Sequence, residues 1–262
     1  MFLVMTIAIW KLIIASITAL IAGMLNATSG GGSFLTYPVL LMLGESHLVA
    51  NATSTVGLWP GLIANLHGFR REIKIQKKFV KLFIGPAFLG AIVGSYVLTK
   101  TPDSVFGFVA PVLIFSGSLV LKFHSKIEHL FDKINLGSEK RIIIVVTISV
   151  FFISIYTAYM GAGSGILLLA AFAFLKLENF YHSIALKNTL ALTGNTIATI
   201  YFCFAGLVHW PIAFAMIVGS ISGGIIGSRI IRKINKEKLR SFVVYFGIVS
   251  SIGLLFSQVL GY

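Results

Sequence analysis

Lys187, Asn188 and Thr189 sit together in a long apolar run, with Asn195 two turns further on, while Asn51, Thr53, Ser54 and Thr55 open a similar run in the first half of the chain. Amides and an ammonium are donors suited to an oxyanion. A cation at membrane depth is costly unless it is paired, hydrated or able to snorkel to the interface. Each polar cluster lies downstream of a glycine break: Asn26-Ala27-Thr28-Ser29 leads into Gly30-Gly31-Gly32-Ser33, and Gly161-Ala162-Gly163-Ser164-Gly165 occupies the matching place in the second half. A short apolar run follows each break. Backbone N–H groups at such a helix start have no intrahelical partner and carry the positive end of the helix dipole. Gly30, Gly31, Gly32, Ser33, Gly161, Gly163, Ser164 and Gly165 therefore form a candidate anion cradle. With Asn51, Thr53, Ser54, Lys187, Asn188, Thr189 and Asn195 they make up the expected substrate-binding set.

Plainer readings exist for each. Glycines permit tight turns, hydroxyls bond across helices as glue, and Lys187 can snorkel to the cytoplasmic interface. The duplication favours a site, because interrupted apolar segments at corresponding positions of two halves are the best sequence pointer to a binding site built from broken helices. Glu45, Glu72, Asp103, Glu128, Asp132, Glu139, Glu178 and Glu237 all fall in or beside loops, which argues against a buried carboxylate relay or cation site. His67, His182 and His209 fall at segment ends without metal-ligand spacing, so no metal or other cofactor is expected. HExxH and GxSxG are missing, and the serine-rich helix starts have no nearby base, which argues against an enzyme. Cys203, the lone cysteine, lies in an apolar run and reads as buried filler.

The elements that must hold these residues are membrane helices. The chain is 57% hydrophobic and 11% charged with a mean hydropathy of +0.95, far below the roughly 25% charge of soluble domains. The net charge of +13 sits in short loops and reads as a topology signal, not as a nucleic-acid surface. Long apolar runs cover residues 3–25, 48–67, 79–99, 104–121, 141–160, 183–207, 211–230 and 239–260, each near the length that spans a bilayer as helix. The first reads as a retained helix and not a signal peptide. Two shorter runs, 33–43 and 164–177, directly follow the glycine breaks. If both cross, the basic clusters at 70–81, 122–141 and 229–240 share one face, with Lys100 the exception; if neither crosses, the last cluster falls opposite the others, against the positive-inside tendency. The expected architecture is thus all-α and polytopic: eight full-length helices and two short half-helices, arranged as inverted five-segment repeats at residues 1–122 and 141–262 around a cytoplasmic linker at 123–140. Both termini then lie outside the cytoplasm. Gly90-Ala91-Ile92-Val93-Gly94-Ser95 and Gly223-Gly224-Ile225-Ile226-Gly227-Ser228 occupy the fourth segment of each half, where small residues let helices approach closely. Lys11, beside Trp10 near the outer end of the first segment, reads as an interface anchor.

These motifs resemble the TauE/SafE sulfite-exporter family, also called sulfonate-uptake-permease-like, over essentially the whole chain. In the second half the resemblance rests on Gly161 to Gly165, Ala185-Leu186-Lys187-Asn188, Asn195, Gly206-Leu207-Val208-His209-Trp210 and the later glycines. In the first half it rests on Ala27-Thr28-Ser29-Gly30-Gly31-Gly32-Ser33, Pro38 and Asn51-Ala52-Thr53-Ser54. His209 stands where the family commonly has an acid before Trp, and Thr28 and Ser29 where Gly or a small apolar residue is frequent. The resemblance implies transport of a small anion, such as sulfite, an organosulfonate or a related carboxylate, across the cell membrane. An inside-negative potential favours anion exit by about 2.3 kcal/mol per charge per 100 mV, so export needs no coupling ion. Uptake would need a symported proton or sodium, for which only backbone carbonyls at the breaks offer a site. The expected partners are the anion and the lipid bilayer; a homo-oligomer is compatible with the sequence, and a channel or a membrane enzyme or assembly factor are the alternatives to a carrier.

Overall fold

The computed structural model describes residues 8–28, 30–123, 137–230 and 236–260. Ser29, Lys133, most of the expected linker at 123–140 and both chain ends lie outside them. Eleven described helices follow one another: α1 Ile9–Thr28, α2 Ser33–Met42, α3 His47–Gly68, α4 Arg70–Ile75, α5 Lys77–Lys100, α6 Asp103–Lys122, α7 Glu139–Tyr159, α8 Ser164–Ala173, α9 Phe180–Phe204, α10 Trp210–Ile230 and α11 Lys236–Leu260. Helix starts follow local chemistry. Ser138 accepts a bond from the Arg141 N–H at the head of α7, Asn179 accepts from the Tyr181 N–H at 2.9 Å to start α9, and Pro102 precedes Asp103 at α6. Prolines inside α2, α3, α5 and α6 are tolerable because neighbouring helices and local adjustments satisfy the freed carbonyls. The basic stretch read as a loop contains the short exposed helix α4, since residues 70–77 hold no glycine or proline to prevent it.

Six described helices, α1, α5, α6, α7, α10 and α11, are long and apolar enough to cross a membrane. With 22 and 25 residues, α3 and α9 are long enough as well, but their polar residues keep them below the hydropathy of a lipid-facing span. Protein surrounds those residues: Asn51, Thr53, Ser54, Lys187 and Asn188 are all buried. The two helices lie side by side and antiparallel. The His209 N–H just beyond α9 donates to Thr53 Oγ1 (2.9 Å), Trp59 Nε1 donates to Thr196 Oγ1 (2.8 Å), and Phe69 packs with Ile184 and Ala185.

Small residues set the outer packing. On α10, Gly219, Gly223 and Gly227 each face α1, so that an added Cβ would collide with backbone at Ser16, Leu20 or Met24; on α5, Gly90 and Gly94 press likewise on Phe151 and Ile155 of α7. Van der Waals contact is the main driver of association where lipid is as apolar as the helix surface. The opposite faces carry Ile13 and Ile17 of α1, Phe214 and Val218 of α10, and Tyr245, Val249 and Phe256 of α11, all exposed. So continuous an apolar exterior fits hydrocarbon and not water.

Candidate functional site

Both short helices begin at the centre of the molecule. At the first break Gly30 has φ 78° and Gly31 φ 104°; at the second Gly161 has φ 74° and Gly163 φ 78°, a backbone region that residues with a Cβ rarely adopt. The breaks touch. A Cβ on Gly30 would lie 3.0 Å from the Gly165 Cα, and one on Gly163 would meet the buried Phe34 ring of α2 at 2.9 Å. Gly163 therefore serves both the turn and the packing of Phe34.

Between the breaks is a cavity of about 30 Å³, room for a few water-sized groups. Of the residues singled out from sequence, Gly30, Gly31, Ser33, Gly161, Ser164, Gly165, Lys187, Asn188 and Asn195 line it. No Asp or Glu does, and among the described residues no His, Cys, Asp or Glu cluster could hold a metal. Lys187 is 1% exposed, about 10 Å along α9 from Phe180, and its Nζ donates to the Asn26 carbonyl at 3.0 Å. The ammonium is thus held inside the protein, not snorkelled to an interface. Next to it, Asn188 is also 1% exposed, and neither its Nδ2 nor its Oδ1 has a hydrogen-bond partner among the described residues. An unpaired buried amide costs about 1–3 kcal/mol; Asn65 of α3 is unpaired in the same way, but of the two only Asn188 lines the cavity.

The remaining residues make other bonds. Asn51 Nδ2 donates to the Tyr159 carbonyl at 2.9 Å, at the end of α7 just ahead of the second break. Thr53 holds the α9–α10 connection through the His209 N–H, Ser54 and Thr36 share a hydroxyl contact of 2.5 Å, and Thr189 bonds back to the Ala185 carbonyl at 2.8 Å. Gly32 is turned toward Asn26, whose Oδ1 accepts its N–H at 2.9 Å. None of these six, Gly163 included, lines the cavity.

Sequence reasoning did not place Asn26, Thr55, Leu58, Leu62 or Ala191 in the wall. For Thr55, Leu58 and Leu62 the signal was available as helical spacing on one face of α3. Asn26 offered only its position ahead of the glycines. At the outer ends of α2 and α9, a second polar layer ties the connections together. Glu45 Oε1 pairs with His209 Nδ1 at 2.6 Å, and Lys11 Nζ donates to the Leu43 carbonyl at 2.7 Å while lying over the Trp10 ring. Lys11 thus closes the C-terminal end of α2, where a cation opposes the helix dipole favourably.

Residues 15–254 match the family described as "Sulfite exporter TauE/SafE". The chain belongs to this family. Among its relatives is a "Probable membrane transporter protein" of Haemophilus influenzae, 24% identical over 260 residues that cover 97% of this chain and 98% of the relative. The "Probable membrane transporter protein YfcA" of Escherichia coli K12 is 26% identical over 246 residues, 92% of this chain and 88% of the relative. A "Probable membrane transporter protein ORF9" of a Sinorhizobium species is 24% identical over 241 residues, 91% and 90%. No solved structure matches. As a TauE/SafE member this chain is a multi-pass membrane protein of a transporter family.

The two asparagines differ in their partners: Asn51 holds a carbonyl, and Asn188 has no partner among the described residues. Asn188→Leu removes an amide with no partner, so thermal unfolding in detergent should show unchanged or higher stability, by up to about 1–3 kcal/mol, while transport is lost. Asn51→Leu strands the Tyr159 carbonyl and should instead destabilise by about 1–3 kcal/mol. The opposite ranking of the two variants would assign Asn188 to packing.

Proposed function

We propose that this TauE/SafE protein is a secondary carrier that moves a small oxyanion, sulfite or an organosulfonate or related carboxylate, through the cavity between the breaks. The observation that carries this reading is the unpaired Asn188 amide beside the buried Lys187 ammonium, in a wall without carboxylates. Two converging helix starts, Ser33 of α2 and Ser164 of α8, add partial positive charge from opposite sides.

The same reading includes the inverted repeat. Packing supports it: α1 lies on α10 as α7 lies on α5, and α3 meets α10 as α9 meets α5. The hydrogen bonds support it as well. Asn51 of the first half holds the carbonyl before the second break, and Lys187 of the second half holds the carbonyl before the first. In this arrangement the termini and Glu45 face outward and Lys74 faces the cytoplasm. Labelling of single cysteines at positions 45 and 74 in a Cys203→Ser background should give opposite sidedness; the same side for both would overturn the topology.

Lys187→Gln tests the anion site. A charge-assisted bond in a partly desolvated site contributes about 1.5–3 kcal/mol, so sulfite affinity measured by calorimetry on purified, folded protein should drop about tenfold to a hundredfold. Counterflow of sulfite in proteoliposomes should fall in parallel. An unchanged dissociation constant would reduce Lys187 to a fastener of α1.

A further inference from the structure

Asn26 touches both positive features of the candidate site. Its side-chain Oδ1 accepts the Gly32 N–H at 2.9 Å, directly ahead of α2, and its main-chain oxygen accepts from Lys187 Nζ at 3.0 Å. The residue itself lines the cavity. Two oxygens of one residue therefore hold donors of the kind an oxyanion takes: a backbone N–H at a helix start and a buried ammonium.

The second break is built differently. Thr157 stands as far ahead of Ser164 as Asn26 stands ahead of Ser33, but its hydroxyl bonds back to the Ile153 carbonyl of its own helix at 2.7 Å. Tyr156 of α7 reaches this break as a donor, to the Ala162 carbonyl, and Ser164 Oγ bonds to the nearby Gly161 carbonyl. Occupation by a neighbouring asparagine is thus particular to the first break, although both breaks share the glycines and the serine.

We propose that Asn26 is a built-in competitor of the transported anion: in the empty cavity its oxygens occupy Lys187 Nζ and the Gly32 N–H, the latter screened from the cavity by the Asn26 side chain and reached by the anion when that side chain turns aside, and the exchange sets the affinity. The proposal rests on the anion-site reading above. Lys187 and the Gly32 N–H are kept satisfied in the apolar interior, where an unpaired ammonium or amide would be costly. Each hydrogen bond the anion forms with these two donors then replaces one already present, so the gain from them on binding is a difference between bonds. Affinity stays moderate, which favours release on the far side. Asn188, with no partner among the described residues, carries no such exchange and contributes its full bond.

The sign of one mutational effect decides the matter. Asn26→Ala frees the Gly32 N–H, and calorimetric titration of purified full-length protein with sulfite should show binding about three- to tenfold tighter than the parent. Asn26→Asp keeps the acceptor but adds a negative charge beside Lys187, and should bind sulfite more than about tenfold more weakly. If Asn26 were a ligand through its Nδ2, or only a structural cap, Asn26→Ala would bind more weakly or equally, and either result overturns the proposal. Asn26→Ser, too short to reach Gly32, provides a second competitor-free variant, and failure of both to fold would also overturn it by making Asn26 a structural residue. Lys187→Gln in the same titration separates the two claims. Weakened binding there with unchanged Asn26→Ala removes only the competitor, whereas a parent that does not bind sulfite removes the sulfite site along with it.

Discussion

Backbone hydrogen bonding at membrane depth is the constraint from which the architecture follows. Hydrocarbon offers no partner for an exposed N–H or C=O, so a chain may unwind there only where protein or a hydrated cavity surrounds it. Among the described residues the chain unwinds at Gly30 to Gly32 and at Gly161 to Gly163, and both places are enclosed. The surrounding protein is supplied by α3 and α9, the two long helices too polar for lipid. Apolar helices packed through glycine on α10 and α5 then shield that centre. Polarity is concentrated inside and apolarity outside, the reverse of a soluble domain, and it is the enclosed breaks that make the polar interior useful.

Each break is held from across the molecule. The carbonyls at the ends of α1 and α7 have lost their helical partners, and they are met by Lys187 of α9 and Asn51 of α3. The two bonds differ in kind. An amide is neutral and leaves no charge to balance, while an ammonium brings a charge into an apolar interior. That positive charge sits beside the Asn188 amide, which has no partner among the described residues, and the starts of two helices. The asymmetry between the halves is consequently what supports the proposed preference of the centre for an anion.

Large parts of this organisation were legible in the sequence. The paired glycine breaks with short apolar runs located the centre, because few other residues can adopt φ near +78° there, and the spacing of Gly90, Gly94, Gly223 and Gly227 marked the packing faces. Lys187, Asn188 and Asn195 were legible as polar residues on one apolar helix. What sequence could not separate was a polar residue facing the cavity from one bonded to structure: Thr53 and Asn188 look alike in a string, yet one fastens His209 and the other has no partner among the described residues. That distinction depends on the neighbouring helix and on rotamer. Asn26 was hidden for the same reason, since both its bonds run to residues across a turn or across the molecule. Glu45, placed in a loop by its charge, meets His209 only because the two connections close over the same end.

The proposed oxyanion site lies where the two breaks meet. A crystal of the full-length protein grown with selenite, a heavier analogue of sulfite, gives the most direct test through anomalous scattering. One strong anomalous peak is expected within hydrogen-bonding distance of Lys187 Nζ and the Asn188 amide, between Ser33 and Ser164. A selenite peak elsewhere, with this cavity left to water, would contradict it.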